Sequence, residues 1–339
     1  MWQAVLERPE KIILREVKKP VVSDNDVLIK VKRIGICGSD IKAYYGKHPY
    51  IKCPIVQGHE FSGLIVDKGK AVRSLHLKDR VTVRPQIVCG QCYLCQHGDY
   101  HICNELKVIG CQAEGAAQEY IKVDESLVVK LPEGISYEEG AMVEPVAVAV
   151  HALSRAGRVR GRKVLVLGAG TIGNLTAQAA KALGAKSVAI TDLSDYRLKV
   201  GKKCGIDYTI NVRQVDLASF LEKSFGKNKA DYIFECVGEA ETINQAVNLA
   251  RKGSDIIIVG VFDEKPRLDV GLVQDRELRL IGSLMYKRED YTQAIKLIQS
   301  KKIRLLPLMS RTFSFRDYAE AYKFIEKSRD KVMKVFIKI

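Results

Sequence analysis

No apolar run in this 339-residue chain reaches the ~20 residues that a membrane span requires; the longest stretches are broken by Glu144 or by glycines. The N-terminus, MWQAVLERPEK, has no apolar segment of the kind a secretory signal carries, and charges are scattered from Glu7 onward. The expectation is a cytoplasmic protein with no membrane partner. Glycine and proline are at ordinary levels, 26 and 9 residues, which argues against disorder. There is no internal repeat and no low-complexity segment. No block of Lys and Arg is interleaved with aromatics, so the formal charge of +15 lacks a nucleic-acid-binding pattern. Spread along the whole chain, that charge fits a lysine-rich surface, a phosphorylated cofactor or an acidic substrate.

What is present is enough apolar material, 47% of residues, for two domains with a core each. The N-terminal part is strand-like: Val27–Val31, Gly63–Val66 and Arg80–Val83 are short β-rich runs divided by Gly, Pro and Asp. From Arg162 the pattern changes to strand and helix in alternation. Strands are expected at Lys163–Leu167, Ser187–Thr191, Tyr208–Ile210, Tyr232–Glu235, Asp255–Val259 and Leu278–Ile281. An Ala-rich helix from Asn174 to Leu183, ended by Gly184, follows the first of them. This alternation predicts a doubly wound parallel sheet within an α/β fold, over residues 150–285. Residues 286–339 carry two helical stretches, Tyr291–Gln299 and one around Tyr318–Glu326, and a last strand, Lys331–Ile337. That tail is too short to fold alone and is expected to pack back on residues 1–149.

Gly168-Ala169-Gly170-Thr171-Ile172-Gly173 fits G-x-G-x-x-G, directly after a predicted strand and at the opening of a predicted helix. In that context Gly168 permits the tight turn, Gly170 lets the backbone approach a pyrophosphate, and Gly173 lets the helix pack close to the strand. The helix N-terminus then holds the phosphates. Asp192 ends the second strand, 24 residues after Gly168. A carboxylate there accepts hydrogen bonds from the ribose hydroxyls of NAD and repels the extra phosphate of NADP.

Two constellations can hold metal. Cys89, Cys92, Cys95 and Cys103 are spaced C-x2-C-x2-C-x7-C. Four thiolates close a tetrahedral zinc shell with no open position, so this site is expected to be structural. His97 and His101 lie inside the loop and compete as ligands, although four cysteines suffice. The second set is dispersed: Cys37 in GICGSD, His59 and Glu60 in GHEF, and Glu144 in VEPVA. Glu144 interrupts an apolar stretch, and an unpaired buried carboxylate is costly. A metal partner removes that cost; thiolate, imidazole and carboxylate with one exchangeable water make a catalytic zinc shell.

On GICGSD, GHEFSG, the four-cysteine lobe, VEPVAVAVHA, GAGTIG and TDLSDYRL, the chain resembles the zinc-containing medium-chain alcohol dehydrogenases, and within them the sorbitol (polyol) dehydrogenase branch. The resemblance runs along nearly the whole length. It implies a GroES-like catalytic domain, residues 1–149 with 286–339, and an inserted Rossmann NAD-binding domain, residues 150–285, with catalytic zinc in the cleft between them. It also implies a homodimer or homotetramer. By motif, Cys37, His59, Glu60 and Glu144 look like ligands of the catalytic zinc or of its water. Which glutamate coordinates stays open. Ser39 stands where the family places a proton-relay hydroxyl. Arg197 is expected to help hold the adenosine ribose, and the segments around Val237 and Val259–Val261 to line the cofactor. Two departures concern substrate: Lys42 stands where many members have a relay histidine, and Met285-Tyr286 replaces an Arg-Tyr pair. Tyr44 and Tyr286 are the expected substrate contacts.

The implied activity is NAD-linked, zinc-dependent oxidation of a secondary hydroxyl in a small polyol or sugar-like molecule. A sugar acid (aldonate) or sugar phosphate is the alternative substrate. A zinc-free reductase of activated double bonds on the same fold would have no need for Cys37, His59 and Glu144 together. A zinc-ribbon nucleic-acid-binding protein would leave Asp192 and the glycine turn unexplained.

Overall fold

A computed structural model of the chain describes residues 1–227 and 229–339. It divides into two compact units, Met1–Glu144 with Met309–Ile339, and Pro145–Leu308. Among the described residues no helix is long and apolar enough to cross a membrane.

The first unit is built on a seven-stranded sheet. Its hydrogen-bonded order is Met309–Ser314, Lys334–Lys338, Asp26–Gly35, Glu60–Lys68, Arg80–Val83 and Val128–Lys130, with Tyr120–Asp124 also pairing with Asp26–Gly35. The strand Asp26–Gly35 is the hub. It pairs antiparallel with Lys334–Lys338, so that Phe336 faces Gly35, and with Glu60–Lys68, so that Glu60 faces Gly35. Val27, Ile29, Val31 and Ile34 from this strand are fully buried, with Phe61, Ile65 and Val81 from its neighbours. At about 25 cal/mol per Å² of apolar surface, such a cluster is the main stabilising term for the unit.

The second unit carries six parallel strands, Tyr208–Asn211, Ser187–Asp192, Lys163–Leu167, Tyr232–Glu235, Asp255–Ile258 and Arg279–Gly282, in that spatial order. In chain order this is 3-2-1-4-5-6, the doubly wound arrangement, and ligands of such sheets bind at the switch point between the first and fourth strands. The strands are near-continuous apolar runs because helices cover both faces. Val164, Leu165, Val166 and Leu167 are each 0% exposed.

The C-terminal tail differs from the sequence expectation. Only Met309–Ile339 joins the first unit; residues 286–308 belong to the second. The helix Arg288–Gln299 buries Tyr291, Ala294, Leu297 and Ile298 there. Asp290, just inside its start, accepts from Ser154 Oγ at 2.9 Å and lies 2.7 Å from His151 Nδ1. A buried carboxylate satisfied in this way fixes the helix to residues near 151, which periodicity in the tail alone could not reveal.

Candidate active site

The glycine turn has the shape its pattern requires. Gly168 adopts φ +93°, and a Cβ there would stand 2.6 Å from Val237 Cγ2. A Cβ on Gly173 would drive into Gly168 O, so this glycine sets the closeness of the helix Thr171–Ala182 to the strand before it. Gly170 caps that helix with φ −62°, and its Cβ position is open. Thr171 and Ile172 form the first turn, where backbone N–H groups face outward and the helix dipole favours an anion. Asp192 is held by backbone: Oδ2 accepts from Ala169 N at 2.8 Å and Oδ1 from Ser194 N at 2.9 Å. Arg197 Nη1 lies 3.7 Å from Asp192 Oδ2. Val237, Val259 and Val261 follow the carboxyl ends of the fourth and fifth strands, where Val259 N donates to Glu235 O at 2.9 Å. The structure therefore gathers the predicted cofactor residues at one edge of the second unit. It adds Glu235, which the sequence reading passed over. This fully buried carboxylate accepts from Val237 N, Gly238 N and Thr242 Oγ1, each at 2.8 Å, and so shapes that edge.

In the cysteine lobe, Sγ–Sγ separations are 4.0 Å for Cys89–Cys95, 3.9 Å for Cys92–Cys103 and 3.5 Å for Cys89–Cys103. A zinc tetrahedron with Zn–S of about 2.3 Å has edges of about 3.8 Å, so the four sulfurs fit the ion. Backbone N–H groups of Asn104 and Cys95 hold the Cys92 thiol down at about 6, whereas burial and the other three sulfurs push Cys95 up. Crowded thiols that resist joint ionisation are what a divalent cation resolves.

Cys37, His59 and Glu60 form the second group, with one ligand atom from each lying within 4.8 Å of the others. Glu144 is not part of that group; it is 5% exposed, in the first turn of the helix Val143–Ala156. Local chain geometry explains the assembly. Cys37 is the N-cap of the helix Gly38–Tyr44, and its N–H donates to Asp40 Oδ2 at 2.9 Å. Gly58, at φ +96°, precedes His59, and Gly110 crosses it so closely that a Cβ would stand 2.8 Å from Gly58 C. The crossing brings Cys111 beside His59.

Asp40 Oδ1 lies 3.7 Å from His59 Nδ1, and both atoms are buried without a hydrogen-bond partner. An imidazole turned with Nδ1 toward a carboxylate offers Nε2 to a metal. Burial opposes charge on His59, but Asp40, Cys37 and Cys111 outweigh it and raise its basicity well above the ordinary value. The surroundings of the imidazole thus favour positive charge. With thiolate, imidazole and carboxylate donors, this pocket fits zinc. Asp40, Cys111 and the buried Lys334, whose Nζ lies 2.7 Å from both Glu60 oxygens, were missed from sequence. The sequence does carry a signal for Asp40, a carboxylate three residues after Cys37 at a helix start.

Ser39 and Lys42 are both half-buried on that helix, three residues apart and so on one side of it. The two tyrosines do not stand as expected. Tyr44 lies in the first unit's core, its hydroxyl donating to Glu10 O at 3.2 Å and its ring 4.9 Å from Tyr322. Tyr322 in turn donates to Gln57, which donates to Asp40 O, so this aromatic group braces the metal-site helix from behind. Tyr286 is 0% exposed and packs 5.3 Å from Tyr291. In this geometry both are packing residues.

The Alcohol dehydrogenase GroES-like domain matches residues 23–133, and the Zinc-binding dehydrogenase family matches residues 171–300. Sorbitol dehydrogenase 2 of Saccharomyces cerevisiae is 36% identical, over 98% of this chain and 96% of its own. The chain belongs to the zinc-containing medium-chain alcohol dehydrogenases. L-idonate 5-dehydrogenase of Vitis vinifera is 33% identical over 90% of this chain and 86% of its own. The crystal structure of galactitol-1-phosphate dehydrogenase from Escherichia coli superposes with a TM-score of 0.94 at 31% identity, covering 100% of both chains. As a zinc-dependent dehydrogenase of this family, the chain uses zinc and a nicotinamide cofactor.

Proposed function

We propose that this dehydrogenase oxidises a secondary hydroxyl of a small polyol or sugar-like molecule and passes the hydride to NAD. The observation that carries the reading is the Cys37–His59–Glu60 group, with His59 and Glu60 buried and Cys37 half-buried, in a chain that also holds the glycine turn with its backbone-bound Asp192. The relatives' names support the substrate class: sorbitol, idonate and galactitol 1-phosphate are hydroxylated carbon chains.

When bound, zinc supplies Lewis-acid polarisation of the substrate oxygen, and NAD supplies the hydride acceptor. Cys37 and His59 hold the metal, with a carboxylate from Glu60 or Glu144. Asp40 orients His59. Ser39, two residues from Cys37, takes the hydroxyl proton, and Lys42 stands further along the same side of the helix. Gly168, Gly170 and the first turn at Thr171, Ile172 and Gly173 hold the pyrophosphate. Asp192 and Arg197 hold the adenosine ribose, while Val237, Val259 and Val261 line the cofactor.

Nine free cysteines, four of them clustered at metal-ligand spacing, suit a reducing cytoplasm. A homodimer or homotetramer is the proposed assembly. The edge strand Arg279–Gly282 supports it, since Leu280 on the strand and Leu284 after it are 36% and 54% exposed.

A screen of polyols, aldonates, sugar phosphates and diols with NAD, followed as NADH absorbance, tests the reading. Turnover of polyols supports it, and activity confined to simple primary alcohols contradicts it. The anionic alternative rests on Lys42, the cation that stands on the Ser39 side of the helix.

A further inference from the structure

Lys334 is 3% exposed, and its Nζ lies 2.7 Å from both carboxylate oxygens of Glu60 and 3.1 Å from Ile36 O. Glu60 is 0% exposed. The fold makes room for this pair. Gly35 lies between the strands of Glu60 and Lys334, and a Cβ there would strike Glu60 Oε2. The carboxylate reaches the lysine across the one residue of the central strand that has no side chain at that point.

We propose that Lys334 is a positioning residue that grips Glu60 by both oxygens and so limits its service as a metal ligand, leaving a position open for substrate oxygen. The inference rests on the zinc reading of Cys37 and His59. It gives Glu60 a definite place: a restrained carboxylate shared between an ammonium and the metal pocket. Without Lys334, Glu60 is a buried anion whose best remaining partner is the metal cation, and it turns toward it. Loss of the lysine also removes a positive charge that repels zinc. Both effects tighten the metal. A lysine that merely filled space would give the opposite result, because a cavity and a stranded carboxylate loosen the pocket.

The test uses zinc-loaded and cobalt-substituted full-length protein: wild type, Lys334→Met, Lys334→Arg, Glu60→Gln and the Lys334→Met/Glu60→Gln double variant. The readouts are zinc loss to an excess of chelator, the visible spectrum of cobalt at the Cys37 site, and kcat and KM. In Lys334→Met, zinc at this site is expected to leave about tenfold more slowly, on the scale by which neighbouring groups tune metal affinity. The cobalt spectrum should shift, and kcat should fall. Lys334→Arg should stay near wild type. In the Glu60→Gln background, the methionine substitution should leave the cobalt spectrum unchanged and slow zinc loss much less. Faster or unchanged zinc loss in Lys334→Met overturns the proposal, as does an equal spectral shift in the Glu60→Gln background. If Lys334→Met does not fold, Lys334→Gln replaces it with the same criteria. Wild-type protein that binds zinc only at the cysteine lobe overturns the zinc reading itself and, with it, this inference, a result separate from any effect of the Lys334 variants.

Discussion

Gly170, the cap of the helix Thr171–Ala182, and Gly173, in its first turn, offer a way to separate folding from cofactor binding. At Gly173 a methyl group would drive into Gly168 O and lie 3.0 Å from Gly168 C, both backbone atoms that cannot swing aside. Gly173→Ala must therefore push the helix Thr171–Ala182 off the strand, an overpacking that costs about 1–3 kcal/mol. At Gly170 the same methyl meets nothing within 4 Å, and φ is −62°, which alanine adopts freely. There the loss of chain freedom in the unfolded state favours folding by about 0.4–1 kcal/mol. The methyl nevertheless stands where the pyrophosphate approaches the backbone. Gly170→Ala should be as stable as wild type or more so, yet bind NADH at least about tenfold more weakly, a loss of ~1.4 kcal/mol. Gly173→Ala should lose both stability and affinity. Urea unfolding and NADH fluorescence titration on the same preparations measure the two quantities. Wild-type NADH affinity in Gly170→Ala would refute the placement of the phosphates, and undiminished stability in Gly173→Ala would refute the packing argument.

Three further outcomes follow from the site. Asp192, its oxygens fixed by Ala169 and Ser194 N–H groups, should give a strong preference for NAD, and Asp192→Asn should narrow the ratio of kcat/KM for NAD over NADP; comparable efficiencies in the wild type would contradict this. Ser39→Ala and Glu144→Gln should lower kcat at saturating substrate while leaving NADH affinity within about twofold, and unchanged kcat in both would remove them from the chemistry. A preference of about tenfold for an aldonate over its neutral polyol, ~1.4 kcal/mol, that vanishes in Lys42→Ala would identify an anionic substrate, whereas a neutral preference unaffected by the substitution favours the polyol.

Local signals were legible in the sequence, and distant ones were not. The six parallel strands, the glycine turn and the four-cysteine lobe are written in short windows, where period, turn chemistry and ligand spacing act directly. The strands Lys163–Leu167 and Tyr232–Glu235 fall where the apolar runs put them. Lys334 was invisible because its meaning depends on Glu60, 274 positions away, and on the missing side chain of Gly35. Tyr44 and Tyr286 misled for the related reason that an aromatic near a motif reads the same whether it faces ligand or core. Only the Glu10 carbonyl and the rings of Tyr322 and Tyr291 distinguish the two. Periodicity shows the helix Arg288–Gln299 but not its unit, since its anchor is the contact of Asp290 with His151 and Ser154.

Metal analysis of pure, active protein tests the central claim most directly. Two zinc ions per chain are expected, one held by Cys89, Cys92, Cys95 and Cys103 and one at Cys37 and His59. Cys37→Ser should keep about one zinc and lose turnover, while Cys92→Ser should lose the other ion and chiefly lower stability. Active enzyme that contains no zinc would contradict the account.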